Sequence, residues 1–459
     1  MTAAETQLLG GPFTDRALTD RLYGVMFHKS RRFTALLLVC ALGTGVLFLA
    51  VGYTFVTGIG TWGNNIPVAW AFAITNFVWW IGIGHAGTFI SAVLLLLEQK
   101  WRTSLNRLAE GMTLFALVQA GLMPILHLGR PWFFYWLVPY PSTMDVWPQF
   151  MSTLPWDVAA VTTYSLLSLL FWYLGAIPDF AVVRDQIQGR HRRRIYGLLA
   201  LGWRGTSRQW RHQKSAQLML AGLATPLVLS VHSIVSLDFA IAMLPGWHSI
   251  LFPPYFVAGA IFSGFAMVVQ LAVPIRKLYR LEYVITTRHL DLMAKMILLT
   301  GMIVTYSYVA EHCIAWYSGD DYDRYMVFHV RPTGPFAWAF WVTIFCNVVA
   351  VQPLWFRRVR NSPWALFAVA CFVQLGMWME RFMLVVTAQH RDFLPSSWDM
   401  YSPTLVDAAI LGGSICFFFL LFLLMLRFVP FIPIQETKEV NRELSHDRHH
   451  EGAPPCNTR

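Results

Sequence analysis

Long apolar runs separated by short polar connections repeat ten times along the chain. Each run holds about 20 or more residues, enough for a helix to cross a ~30 Å hydrocarbon core. They fall at 33–57, 67–98, 108–128, 157–177, 216–244, 254–275, 293–317, 335–356, 364–389 and 404–428. Isolated polar residues inside the runs recur at helical spacing, as with Thr305, Tyr308 and His312 at i, i+3 and i+7. The pattern predicts an all-α polytopic membrane protein with ten transmembrane helices. A polar segment over 1–32 precedes the first helix, and a polar tail over 429–459, expected to be disordered from about 436, follows the last.

Composition agrees with this pattern. Of 459 residues 56% are hydrophobic and 13% charged, with 20 Trp, a balance foreign to ordinary soluble domains. The distribution of Lys and Arg predicts orientation, because short loops rich in them stay in the cytoplasm. With the N-terminus inside, 30 of the 35 fall in cytoplasmic segments, nine of them between Arg184 and Lys214. Both termini are therefore expected in the cytoplasm of a bacterial inner membrane. The net charge of +10 reads as a topology signal and an attraction to membrane lipids with anionic headgroups, with no nucleic acid implied. The stretch Arg190 to Arg194 is expected to anchor the cytoplasmic side. The first thirty residues lack an apolar stretch followed by a cleavage site, so no removed signal is expected. The six cysteines form no C-x-x-C or C-x-x-C-H, which predicts neither an iron–sulfur cluster nor a covalent haem, and no metal site, in this chain. Buried free Cys packs as a small hydrophobe, and five of the six are read that way.

Titratable groups inside apolar runs carry the candidate chemistry, since charge in hydrocarbon is costly and usually faces a bundle interior or a wet cavity. His127 closes one run and is followed by Gly129, Arg130, Pro131 and Trp132; Asp157 opens the next. Consecutive helices thus place an imidazole and a carboxylate at the same depth. Oxidising a quinol removes two protons, and a neutral His with an ionised Asp are suitable acceptors. Arg130 can fix nearby carboxylates, and Trp132, Tyr135, Trp136, Tyr140, Trp147 and Trp156 can cover a flat ring. His232 and Asp238 share one helix, with Asp238 nearer the outer surface. A possible proton path comprises His85, Tyr308, Glu311, His312, Glu380 and Arg381. The bland alternatives are a His85 hydrogen bond to a neighbouring carbonyl and a Glu380–Arg381 ion pair that fixes packing.

Two rivals follow from the same residues. A transmembrane cytochrome b could use His85 and His232 as axial ligands, although the histidines do not recur as evenly spaced pairs. A proton-coupled transporter would show helices interrupted near the midplane, for which only Pro124 and Pro226 are candidates.

Six stretches, Trp62–Pro67, Gly84–Thr88, Gly129–Trp132, Ser230–Val235, Pro245–His248 and His390–Trp398, together resemble the NrfD/polysulfide-reductase family of membrane subunits over about residues 60–410. Within it, the chain is most similar to the quinol-binding NrfD-like type found in bacterial alternative complex III. The resemblance implies two four-helix bundles, here 67–245 and 254–389, flanked by helices at 33–57 and 404–428. It implies a quinol pocket in the first bundle near the outer surface, at positions matched by His127 and Asp157, with Asp238 and His232 nearby. Quinol, whether menaquinol or ubiquinol, would be the bound substrate. The implied partners are a periplasmic iron–sulfur subunit, a second NrfD-like membrane subunit and c-type haem subunits. Membrane anchors of polysulfide, nitrite or related reductases share the pattern with a different outer partner.

Overall fold

A computed structural model describes residues 8–10, 13–27, 30–137 and 152–451. The expected aromatics Tyr140 and Trp147, the side chain of Trp136, and Cys456 lie outside the described residues. All regular structure among the described residues is helical. A short helix α1 (Asp15–Met26), capped by Thr14, precedes the first long one.

Among the described residues, ten helices are long and apolar enough to cross a membrane: α2 (Arg31–Thr57), α3 (Ala71–Leu96), α4 (Asn106–His127), α5 (Thr153–Gln186), α7 (Ser207–Ala240), α8 (Phe252–Leu278), α9 (Thr287–Tyr317), α10 (Ala337–Trp355), α11 (Pro363–Thr387) and α12 (Leu405–Phe428). Each corresponds to one sequence-predicted run, and the chain is a multi-pass membrane protein. The basic helix α6 (Arg190–Leu199) lies between α5 and α7, and α13 (Ile434–Glu451) ends the described chain. Helices α5 and α7 have 34 residues each, about 50 Å of helix, so their basic ends stand clear of the hydrocarbon.

Local chemistry sets several boundaries. Thr206 and Gln209 form a capping box at the start of α7, and Thr404 with Asp407 does the same for α12. Asp407 also accepts from the backbone of Gly63 and from Thr404, so its carboxylate ties the α2–α3 connection to α12. Pro124 and Pro226 lie inside unbroken helices, as do Pro178 and Pro274.

Helices α3, α4, α5 and α7 pack on one another, and α8 packs on α9 and α11, with α3 and α8 joining the two groups. Backbones approach closely there because small residues face one another. A Cβ on Gly264 of α8 would sit 1.8 Å from the Ala86 Cβ of α3, and one on Gly87 would sit 2.1 Å from the carbonyl oxygen of Ala109 in α4. Helices α2 and α12 pair at the periphery, where Leu42, Leu49 and Val56 are exposed.

Three expectations are corrected. The tail from 436 is helical at least to Glu451: the Asp179 carboxylate accepts from the backbone N–H of Ile434 and Gln435, and Ile434, Thr437, Val440 and Asn441 are buried on one face. Arg331, assigned to an outer loop, is 1% exposed and donates to Glu311 at 2.8 Å. Cys313 and Cys371 are exposed, not buried.

Candidate functional site

The C-terminus of α4, the N-terminus of α5 and the C-terminus of α7 meet at the end of the bundle opposite the basic loops, the outer end in the expected orientation. His127 is the last residue of α4, and the chain turns at Gly129 with φ +68°. A side chain at Gly129 would be strained and would meet Ile59 at 3.0 Å. The His127 ring lies 6.4 Å from that of buried Trp62, and its Nδ1 is buried with no hydrogen-bond partner among the described residues. Arg130 and Trp132 are exposed beside it.

Asp157 is buried in the first turn of α5. Its carboxyl faces that of Asp238 on α7, within hydrogen-bonding range. Thr153, one turn earlier on α5, donates to Asp238. The Oδ1 of Asp157 is left buried without a partner. Two facing carboxyls with one free oxygen can accept a proton and hand it on.

Deeper in the same helices, His232 and His85 are both fully buried, with Nδ1 atoms 2.9 Å apart. His85 therefore bonds another imidazole rather than a carbonyl. One Nδ1 must carry hydrogen while the other accepts, so the two rings hold opposite tautomers. Both Nε2 atoms are buried without partners. The two imidazoles thus stand as a directly hydrogen-bonded pair, with ring centroids 5.0 Å apart. Tyr164 packs 4.5 Å from His85 and donates to the carbonyls of Gly84 and His85.

The remaining expected path residues separate into three environments. Tyr308 donates to Glu380, accepts from Asn347 at 2.8 Å, and Glu380 pairs with Arg381 at 3.0 Å, so three of them form one buried cluster. Asn347 and Met383–Thr387 lie in π-helical turns that flank this cluster, a distortion frequent at functional sites. Glu311 is instead occupied by Arg331, which also donates to the Gly246 carbonyl. His312 bonds the Tyr308 carbonyl of its own helix and Thr305 that of Gly301, so the stripe of Thr305, Tyr308 and His312 does not act as one unit.

Sequence reasoning missed Tyr164, Asn347 and a buried cluster at the basic end. There Arg107 donates to the Gly175 carbonyl at 2.8 Å and to Asp179 at 3.3 Å, and Ser91 donates to Glu110 at 2.5 Å. Arg107 and Glu110 at i, i+3, with Asp179 just past the end of the predicted run 157–177, were the available signal.

Residues 60–391 match the family model for polysulphide reductase, NrfD. A putative membrane subunit of the dimethyl sulfoxide reductase of Halobacterium salinarum is 27% identical over 241 residues, 52% of this chain and 49% of that protein. The match thus spans about half the length of that relative. An Hdr-like menaquinol oxidoreductase integral membrane subunit of Archaeoglobus fulgidus is 20% identical over 439 residues, 90% of this chain and 97% of that protein. With the family model covering well over half of its length, this chain belongs to the NrfD polysulphide reductase family of membrane subunits.

Proposed function

We propose that the chain is the quinol-oxidising membrane subunit of a respiratory complex of the alternative complex III type. It would pass electrons to a periplasmic iron–sulfur subunit, and thence to c-type haem subunits, and release protons to the outside. Residues 67–245 and 254–389 are taken as its two bundles. One observation carries the reading: His127 Nδ1 and Asp157 Oδ1, on adjacent helix ends, are both buried and unsatisfied. Such atoms are costly unless something completes them, and the two hydroxyls of a quinol would do so.

Oxidation of the bound quinol yields quinone, two electrons and two protons. His127 accepts one proton at Nδ1 and Asp157 the other at Oδ1, with Asp238 next in line through the facing carboxyls. Arg130 and Trp132, exposed beside His127, would stand at the mouth, and the Trp62 ring packs near the imidazole. His232 and His85 continue the polar line inward, and the Tyr308–Glu380–Arg381 cluster offers a second one across the bundle interface. The relative named as a menaquinol oxidoreductase subunit, matched over nearly its whole length, supports quinol as substrate.

A second reading, a membrane anchor for a polysulfide, nitrite or related reductase, draws on the relative named as a dimethyl sulfoxide reductase subunit. The complex purified from its own membranes separates the two. Quinol-dependent reduction of cytochrome c or a high-potential iron–sulfur protein is expected. Quinol-dependent reduction of polysulfide, nitrite or a sulfoxide in its place establishes the second reading. In either case His127→Ala and Asp157→Asn should each lower quinol oxidation at least tenfold in an assembled complex. Unchanged turnover in both variants places the site elsewhere.

A further inference from the structure

At the basic end, some of the basic side chains have acidic partners and others do not. Those facing the C-terminal helix are neutralised: Arg184 by Asp185 at 2.8 Å, Lys214 by Glu439 at 2.5 Å, Arg102 by Glu436 at 3.1 Å and Lys100 by Glu443 at 2.9 Å. Arg208, Arg211 and His212, on the opposite side of α7, are exposed and have no acidic or hydrogen-bonding partner among the described residues.

Arg208 and His212 line a hollow between α5 and α7, and with Arg211 they line an adjoining one that runs along the surface of α7. The two hollows, of ≈450 and ≈510 Å³, share Arg208, His212 and Ala216 and so form one groove. The first is floored by Leu174, Ile177 and Trp203, and the second runs down to Met219, which is 65% exposed. The apolar stretch of α7 begins at Ala216. Arg211 and His212 stand about 6 to 8 Å further along the axis and Arg208 about 12 Å. Arg211 and His212 thus stand at the depth of the headgroup layer, about 5 to 8 Å thick on each side of the hydrocarbon core, while Arg208 starts beyond it and its stem can bend back toward it. Unpaired guanidinium groups close to phosphate depth above an apolar furrow open to the acyl region match the chemistry of a lipid anion.

We propose that this groove binds one anionic phospholipid, its phosphate held by Arg208 and Arg211 beside His212 and one acyl chain lying along Leu174, Ile177 and Met219. The site does not depend on the quinol reading. It gives the basic loop a defined ligand in place of a diffuse attraction to the surface, because planar guanidinium groups bind phosphate oxygens in pairs.

The test uses the full chain with its native partners in mild detergent, exchanged into mixed micelles of equal phosphatidylglycerol and phosphatidylcholine. Retained lipid is identified by native mass spectrometry. The wild type is expected to retain phosphatidylglycerol at least fivefold over phosphatidylcholine, and Arg208→Gln with Arg211→Gln to lose that preference. Arg31→Gln with Arg32→Gln, at the same end but outside the groove, should keep it. Leu174→Trp, which fills the furrow and leaves the charge intact, should also lower retention, and this holds the proposal open to refutation if the double arginine variant fails to fold. Equal retention of both lipids by the wild type, an unaltered preference in the groove variants, or equal loss in the Arg31 and Arg32 variant overturns it. Displacement of phosphatidylglycerol by millimolar inorganic phosphate, with retention unaltered by Leu174→Trp, overturns it too, as a simple anion site.

Discussion

His390 follows the end of α11, with Nδ1 2.8 Å from the Thr387 carbonyl and Nε2 buried without a partner. Burial holds its imidazole below the usual value of 6.5, so the native state keeps the ring neutral. An unfolded chain takes up a proton near that usual value. The contribution of His390 to stability is therefore present above about pH 6.5 and is lost as pH falls below it. Thermal unfolding in detergent from about pH 7.5 to about pH 5.5 should show a falling midpoint that is flatter in His390→Gln; parallel curves would contradict the assignment. A second residue-scale expectation concerns Arg331. Its removal leaves the mostly buried Glu311 unpaired, which typically costs about 3 to 5 kcal/mol, so Arg331→Ala should unfold at lower temperature and Arg331→Ala with Glu311→Gln should recover part of the loss. Candidate residue types were legible in the sequence, because a His or Asp inside an apolar run stands out. Their pairings were not: Asp157 with Asp238 and His85 with His232 join helices far apart in sequence, and hydrophobic periodicity carries no information about which helix faces which.

At the scale of elements, the close approach of α3 and α8 rests on Gly264. A Cβ there meets Ala86 of α3 far inside contact distance, whereas nothing lies within 4 Å of the corresponding position at Gly222 on α7. Gly264→Ala should therefore lower the unfolding temperature or block assembly, while Gly222→Ala should be neutral or slightly stabilising, since Ala is the better helix former by about 1 kcal/mol. Equal behaviour of the two would mean that α3 and α8 shift apart at no cost. The C-terminal helix α13 makes a comparable case. Asp179→Ala removes the acceptor for two N–H groups at its start and should raise tryptic cleavage at Lys438 and Arg442. The ten membrane helices were legible because apolar length alone identifies them. Helix α13 was not, because its sequence is polar overall and its order comes from a cap supplied by α5, a tertiary contact with no local signature.

Across the whole molecule, the two groups of helices meet at a line of buried polar residues. The Arg381 guanidinium lies 4.0 Å from the centroid of the Phe256 ring, and the His232 ring is 6.0 Å from the same ring between centroids. Beyond Arg381 come Glu380, Tyr308 and Asn347. Two roles are open to this cluster under the proposed function, conduction of protons or fixing of the interface, and they differ in what a single oxygen does. Tyr308→Phe keeps the ring and its contact with Tyr255, at 5.8 Å between centroids, and deletes only the hydroxyl that donates to Glu380. If the cluster conducts, the assembled variant should oxidise quinol at the normal rate while moving fewer protons per electron in reconstituted vesicles. If it fixes packing, a buried acceptor loses its donor, typically costing about 1 to 3 kcal/mol, and assembly should fall with the proton-to-electron ratio unchanged in what does assemble. Glu311→Gln is the companion measurement. Because Arg331 already occupies Glu311, we expect that variant to lower stability without altering the ratio, and a reduced ratio there would put Glu311 back on the path.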